Sequence, residues 1–251
     1  NASVSGGSQN FRYSFSLGHL NQDGVVRYTG FERYTVRMNL ETDLSKKLTV
    51  GLMLSPTHTT QHLSDAEGSL YSTNYNENSR DNVIVRSLWM SPLVPVTDAY
   101  GIRTPFITGG GRSVPNPLDK LEFAGTKRKE LRGLGVLFAE YEILSGLKAK
   151  YSFNVNYSSG SSFVFNPSFV GGIYLPPPVV PVSTSTYFSS LNWLSEALLA
   201  DNKLIKGNHS IDAVLGYTSQ HERTDFMLIK ADQYPDDLVQ TINAAAIIPS
   251  Y

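Results

Sequence analysis

The chain has 251 residues, enough for one large all-β domain or two small ones with a sizeable core. Charged residues make up only 17% and the net charge is -1, so with no basic cluster there is no electrostatic case for nucleic acid. Cysteine is absent, which excludes disulfides and thiolate metal sites, and no apolar run reaches the roughly 18 residues of a membrane helix.

Taken in order, the chain opens at Asn1 inside an apparent strand, Ala2 to Ser5, with no charged and apolar leader before it. It reads as an internal fragment. The turn Gly6-Gly7-Ser8 leads into Phe11 to Leu20, where Phe11, Tyr13, Phe15 and Leu17 alternate with Arg12, Ser14 and Ser16. A loop over Asn21 to Gly30 precedes Phe31 to Glu41, which places Tyr34, Val36, Met38 and Leu40 opposite Arg33, Thr35, Arg37 and Asn39. A charged turn at Asp43 to Lys47 then gives Leu48 to Thr60. Period-two alternation makes this stretch a β-meander with one apolar and one polar face.

A long irregular segment follows, from Gln61 to about Lys127, with short helical turns predicted over Asp81 to Met90 and Pro117 to Glu122. A hairpin comes next, Leu137 to Ile143 and Leu147 to Tyr157, about a turn at Leu144-Ser145-Gly146. A second irregular segment, Ser158 to Thr184, precedes a last hairpin pairing Tyr187 to Leu199 with Ser210 to Gln220 through Asp201 to Asn208. A tail with Pro235-Asp236-Asp237 shows no clear element. The expected fold is an all-β, antiparallel, up-and-down meander of about eight strands.

Connection lengths alternate between short and long, which in an up-and-down sheet puts all the short turns at one end. Outer-membrane barrels have this asymmetry, and the runs match the roughly 9–11 residues of a tilted membrane strand. A soluble β-sandwich with glycan-binding loops and an autonomous small outer-membrane barrel remain the alternatives.

Few residues suggest chemistry, and the chain is not expected to be an enzyme or to carry a cofactor. His58 and His62 lie at a strand end among threonines, a poor metal site, and His221-Glu222 reads as a solvated strand end. Asn21-Gln22-Asp23-Gly24 lacks the closing glutamate of a calcium loop and reads as a turn. Gly109-Gly110-Gly111-Arg112 lacks the Lys-Ser/Thr pair of a phosphate loop and reads as flexible loop. Aromatics in the long segments are the better candidates, since rings stack on sugars or pack on a partner: Tyr71, Tyr75, Phe163, Phe165, Phe169 and Tyr174.

Several segments, in order, resemble one family. Ser16-Leu17-Gly18-His19-Leu20-Asn21-Gln22-Asp23-Gly24, then Phe31-Glu32-Arg33-Tyr34 and Arg37-Met38-Asn39-Leu40, are similar to the early barrel of SusC/RagA-type TonB-dependent outer-membrane transporters. Val4-Ser5-Gly6-Gly7-Ser8, Asn116-Pro117-Leu118, Glu140 to Lys148, Leu215-Gly216-Tyr217 and Tyr234-Pro235-Asp236-Asp237-Leu238 extend the match over nearly the whole chain. The resemblance implies that residues 1–251 form an early part of the transmembrane domain of a barrel of about 22 strands, with long extracellular loops and with plug and remaining strands elsewhere. It implies import of oligosaccharides or peptides, a SusD-like surface lipoprotein as partner, TonB engaged through another segment, and the bacterial outer membrane as location. Lipid would meet Tyr34, Val36, Met38, Leu40, Tyr151, Phe153 and Val155, and the lumen Arg33, Arg37, Lys148, Lys150 and Asn154.

Overall fold

A computed structural model describes residues 1–64, 83–104, 106–109, 112–171, 176–205 and 209–246. Eight strands form one antiparallel sheet: β1 (Ala2–Gly7), β2 (Phe11–Asp23), β3 (Gly30–Ser45), β4 (Leu48–Leu63), β7 (Thr126–Leu144), β8 (Leu147–Asn166), β9 (Val182–Ile205) and β10 (His209–Asp232). Each pairs with its sequence neighbour, so β1 and β10 lie at opposite edges. Between β4 and β7, β5 (Phe106–Gly109) and β6 (Arg112–Pro115) form a separate ribbon, flanked by helices α1 (Val83–Trp89) and α2 (Pro117–Phe123).

The strand ends joined in β1–β2, β3–β4, β7–β8 and β9–β10, separated by two or three residues in sequence, lie at one end of the sheet, and those joined in β2–β3, β4–β7 and β8–β9, separated by 6, 62 and 15 residues, at the other. Short turns have local causes. Ser45 Oγ accepts from Lys47 N and Leu48 N at 3.2 and 3.1 Å, and Gly146 takes φ +92°, a left-handed conformation that favours glycine.

Register carries the two faces across the strands. Phe15, Met38, Leu54, Gly135, Val155 and Trp193 are successive partners on the apolar face. On the polar face the corresponding row is Ser14, Asn39, Met53, Val136, Asn154 and Leu194. Pairing of β3 with β4 passes from Thr35–Thr57 to Met38–Leu54 around Pro56, which has no N–H to give. Tyr34, Val36, Met38, Leu40, Tyr151, Phe153 and Val155 share the apolar face, and none is buried.

No second layer covers either face among the described residues. Buried apolar side chains lie instead at the long-connection end: Val83, Val114, Leu121, Ala124, Phe165, Val170, Ala231 and Tyr234. Accessible surface totals 16799 Å² for 27.7 kDa, against roughly 11,000 Å² for a compact globular chain of that mass.

The structure corrects several boundaries. Long strands run 13 to 24 residues, well beyond a bare membrane crossing. Asn21–Asp23 end β2, and the turn is at 24–29. β8 continues to Asn166, so Phe163 and Phe165 are strand rather than loop residues. β10 continues to Asp232, which puts His221 in mid-strand, stacked on Trp193 at 5.9 Å, rather than at a strand end. Residues flanking Gly110-Gly111 form the β5–β6 ribbon rather than flexible loop.

Candidate functional site at the long-loop end

Three segments lock together at this end. Asn116 starts α2: its Oδ1 accepts from Leu118 N at 3.0 Å, Pro117 occupies the first turn, and Asn116 Nδ2 donates to Thr104 O at 2.9 Å. Helix α2 presents Asp119 and Glu122 on one side, and Arg103 donates to both, at 2.7 and 2.6 Å. Those carboxylates, Asp119 first, hold the Arg103 guanidinium above its ordinary pKa.

Residues 168–171, at the start of the 167–181 connection, dock on this layer. Arg86 of α1 is fully buried and donates to Gly171 O at 2.8 Å and Val170 O at 3.5 Å. Phe123 meets Phe169 edge to face at 5.0 Å. The tail then ties down the same connection, with Asp237 accepting from Ser168 N at 2.7 Å and Ser168 Oγ at 2.6 Å. Tyr234 packs edge to face on Phe165 at 5.0 Å and shares a 2.5 Å hydrogen bond with Ser183 Oγ. Ile242, Ala244 and Ala245 close over this cluster.

The sequence-predicted aromatics divide clearly. Tyr71, Tyr75 and Tyr174 lie outside the described residues. Phe165 is buried in the tail cluster and Phe163 packs beside it, so both hold the loop layer together. Phe169 is 41% exposed at the surface of that layer. Tyr100, which sequence reasoning passed over, is 89% exposed at the tip of a turn. Asp98 Oδ1 accepts from Tyr100 N and Ile102 N at 2.9 and 2.8 Å, and Gly101 takes φ +79°. The Asp98-Ala99-Tyr100-Gly101 pattern was the available signal.

Below the loops, the polar face is a wall of paired charges and amides. Arg12 reaches Glu41 at 2.5 Å, Lys148 reaches Glu140 at 2.8 Å, and Ser152 and Asn154 both donate to Glu196 at 3.3 Å. Two glycines bring rings flat against the sheet: a Cβ at Gly51 would overlap the Phe138 ring, and one at Gly160 the Phe188 ring. Lys150 stands over Phe138 at 5.0 Å and Arg128 over Phe188 at 5.7 Å. His58 and His62 occupy the opposite, apolar face of β4 and are separated by about 13 Å of strand.

No protein-family model matches the chain. In sequence it is similar to TonB-dependent receptor P3 of Formosa agariphila, 28% identical over 216 residues that make up 86% of this chain and 20% of the receptor. TonB-dependent receptor P39 of the same organism is 22% identical over 244 residues, 97% of this chain and 21% of that receptor. In structure it matches the RagAB peptide importer in its closed-closed state, with TM-score 0.76 and 18% identity, over 98% of this chain and 27% of that chain. The chain thus resembles TonB-dependent receptors in sequence and shares its fold with part of the RagAB importer. A second match, the RagAB peptide transporter, gives TM-score 0.76 and 19% identity over 98% of this chain and 26% of the other. The chain spans about a fifth of the length of the curated relatives it matches.

Proposed function

We propose that residues 1–251 form part of the transmembrane wall of an outer-membrane transporter that imports oligosaccharides or peptides, driven through TonB. The observation that carries this reading is the single open sheet whose apolar face, short of the tail cluster over Phe165, Ser183 and Ala231, has nothing packed on it among the described residues. On β7 the apolar side chains of that face run from Leu131 to Tyr141, about 34 Å of strand, or roughly 24 Å of height at a tilt near 45°. That equals the apolar band of about 25 Å in outer-membrane barrels. Hydrocarbon tolerates no open sheet edge, so β1 and β10 each continue into further strands of the barrel. An autonomous eight-stranded barrel needs β1 paired with β10, and a sandwich needs a second sheet packed face to face on the first; neither arrangement occurs among the described residues.

The short turns then face the periplasm and the long connections the cell exterior. The loop layer receives substrate on the exposed rings of Phe169 and Tyr100, with Tyr71, Tyr75 and Tyr174, outside the described residues, as further candidates, and meets a SusD-like lipoprotein over the mouth. Engagement of TonB falls to residues outside this stretch.

The test is uptake. Cells expressing the intact protein should accumulate labelled oligosaccharide or peptide, and deleting either its gene or tonB should abolish that accumulation. Uptake unchanged in both deletions, or extraction of the protein from membranes without detergent, overturns the reading.

A further inference from the structure

The apolar face is not level. Where neighbouring strands carry large side chains, β7 has Gly133 and Gly135. A Cβ at Gly133 would meet nothing within 4 Å, and one at Gly135 only Leu54 Cδ2 at 3.3 Å. The result is a trough of about 480 Å³ walled by Leu54, Pro56, Leu137, Val155 and Tyr157. Both glycines sit in unbroken register, Gly133 with Tyr157 and Gly135 with Val155, so neither serves a bulge or a turn.

Further along the same face of β7 come Leu131 and then Lys129 and Lys127, both exposed. Lys129 is flanked by Thr60 and Ser161, and Lys127 by His62 and Phe163. Neither lysine has a carboxylate partner among the described residues. Glu32, one strand beyond Thr60, is held by Tyr34 Oη at 2.6 Å and by His19 at 3.2 Å. Arg128 and Arg132, on the other face, instead share Glu130 at 3.8 and 3.2 Å.

We propose that this trough and lysine pair form a lipid site, taking an acyl chain between Gly133 and Gly135 and its phosphate at Lys129 and Lys127. The inference rests on the membrane orientation proposed above. In that orientation the lysines belong to the outer leaflet, and the ligand is the phosphorylated, acylated glycolipid of that leaflet. Charge complementarity selects the headgroup, two cations with no carboxylate partner among the described residues beside two hydroxyls, while the trough is lined by apolar atoms. Depth agrees. Gly135 to Lys129 is about 20 Å of strand, or roughly 14 Å of height, half of a hydrocarbon core of about 30 Å. A phosphate at the interface therefore lets its chain reach the bilayer middle inside the trough.

The experiment is native mass spectrometry of the intact transporter in mild detergent, titrated with diphosphoryl lipid A and with the same lipid stripped of phosphate. Wild type should favour the phosphorylated form by roughly 10- to 30-fold, about 1 kcal/mol for each lysine. Lys127→Ala with Lys129→Ala should abolish the preference, and Gly133→Leu with Gly135→Leu should weaken both forms alike. Gly133→Ala, whose Cβ enters open space, gives a partial version should the leucine pair fail to fold. No preference in wild type, or a preference that survives lysine removal, overturns the site. A protein that needs detergent yet shows no preference refutes only the lipid site; one extracted without detergent refutes the membrane reading itself.

Discussion

Placing one arginine on either face of β7 separates lipid from water. Leu137 and Leu134 are similarly accessible in the isolated sheet, 55% and 47%, and sit near the middle of the same strand. Leu137 shares its face with Leu52 and Phe153, whereas Leu134 lies opposite Ser55 and Asn156. Were both faces wet, arginine at either site would shift stability by under about 0.5 kcal/mol, as surface substitutions do. With lipid on the Leu137 face, Leu137→Arg should cost about 2–4 kcal/mol, a roughly 30- to 900-fold change in the folding equilibrium, and Leu134→Arg less than about 1 kcal/mol. Reversible urea unfolding of the intact protein in lipid vesicles reads the difference. Equal costs for the two variants, or the larger cost at Leu134, would refute the assignment of faces.

Three further outcomes follow from the loop layer and the polar wall. Phe165→Ala removes the ring under Tyr234 and should weaken the tail cluster by about 3–5 kcal/mol, seen as faster amide exchange across 233–246 with β2 to β4 unchanged; unaltered exchange there would contradict the docking. Gly51→Ala drives a methyl into the Phe138 ring and should cost about 1–3 kcal/mol, while pairing it with Phe138→Ala should cost less than the sum of the single changes. Additive losses in that cycle would mean the ring does not lie on the glycine. Tyr100→Ala should leave the unfolding midpoint in place and weaken substrate binding by roughly fivefold or more in a calorimetric titration, and unchanged affinity would remove Tyr100 from the substrate site.

The strand cores were legible because apolar and polar side chains alternate within them, as from Phe11 to Leu17 and Arg33 to Glu41. Strand ends were not. Ser158 to Ser162 puts small residues on both faces, and Glu222-Arg223-Thr224-Asp225 puts polar groups on both faces, because beyond the apolar band neither face must be greasy. The contrast that marks a strand therefore vanishes while the hydrogen-bond ladder continues. Helix α2 was readable from Asn116-Pro117, a local capping signal. Docking of the loops left no such trace. Arg86 meets Val170 across 84 residues and Ser168 meets Asp237 across 69, and nothing periodic links positions so far apart.

The join between β4 and β7 has a consequence for how such a wall diversifies. Every residue of β4 from Leu48 to Leu63 pairs with β7, although the chain between them runs from 64 to 125. Closing that connection costs only about 1.2 kcal/mol more than closing one the size of 167–181, since loop entropy grows with the logarithm of length. A ladder that long absorbs the difference easily. The stretch from 64 to 125 is thus energetically exchangeable: it can be lengthened, shortened or replaced at little cost to closure, while the β4–β7 ladder beneath keeps its register.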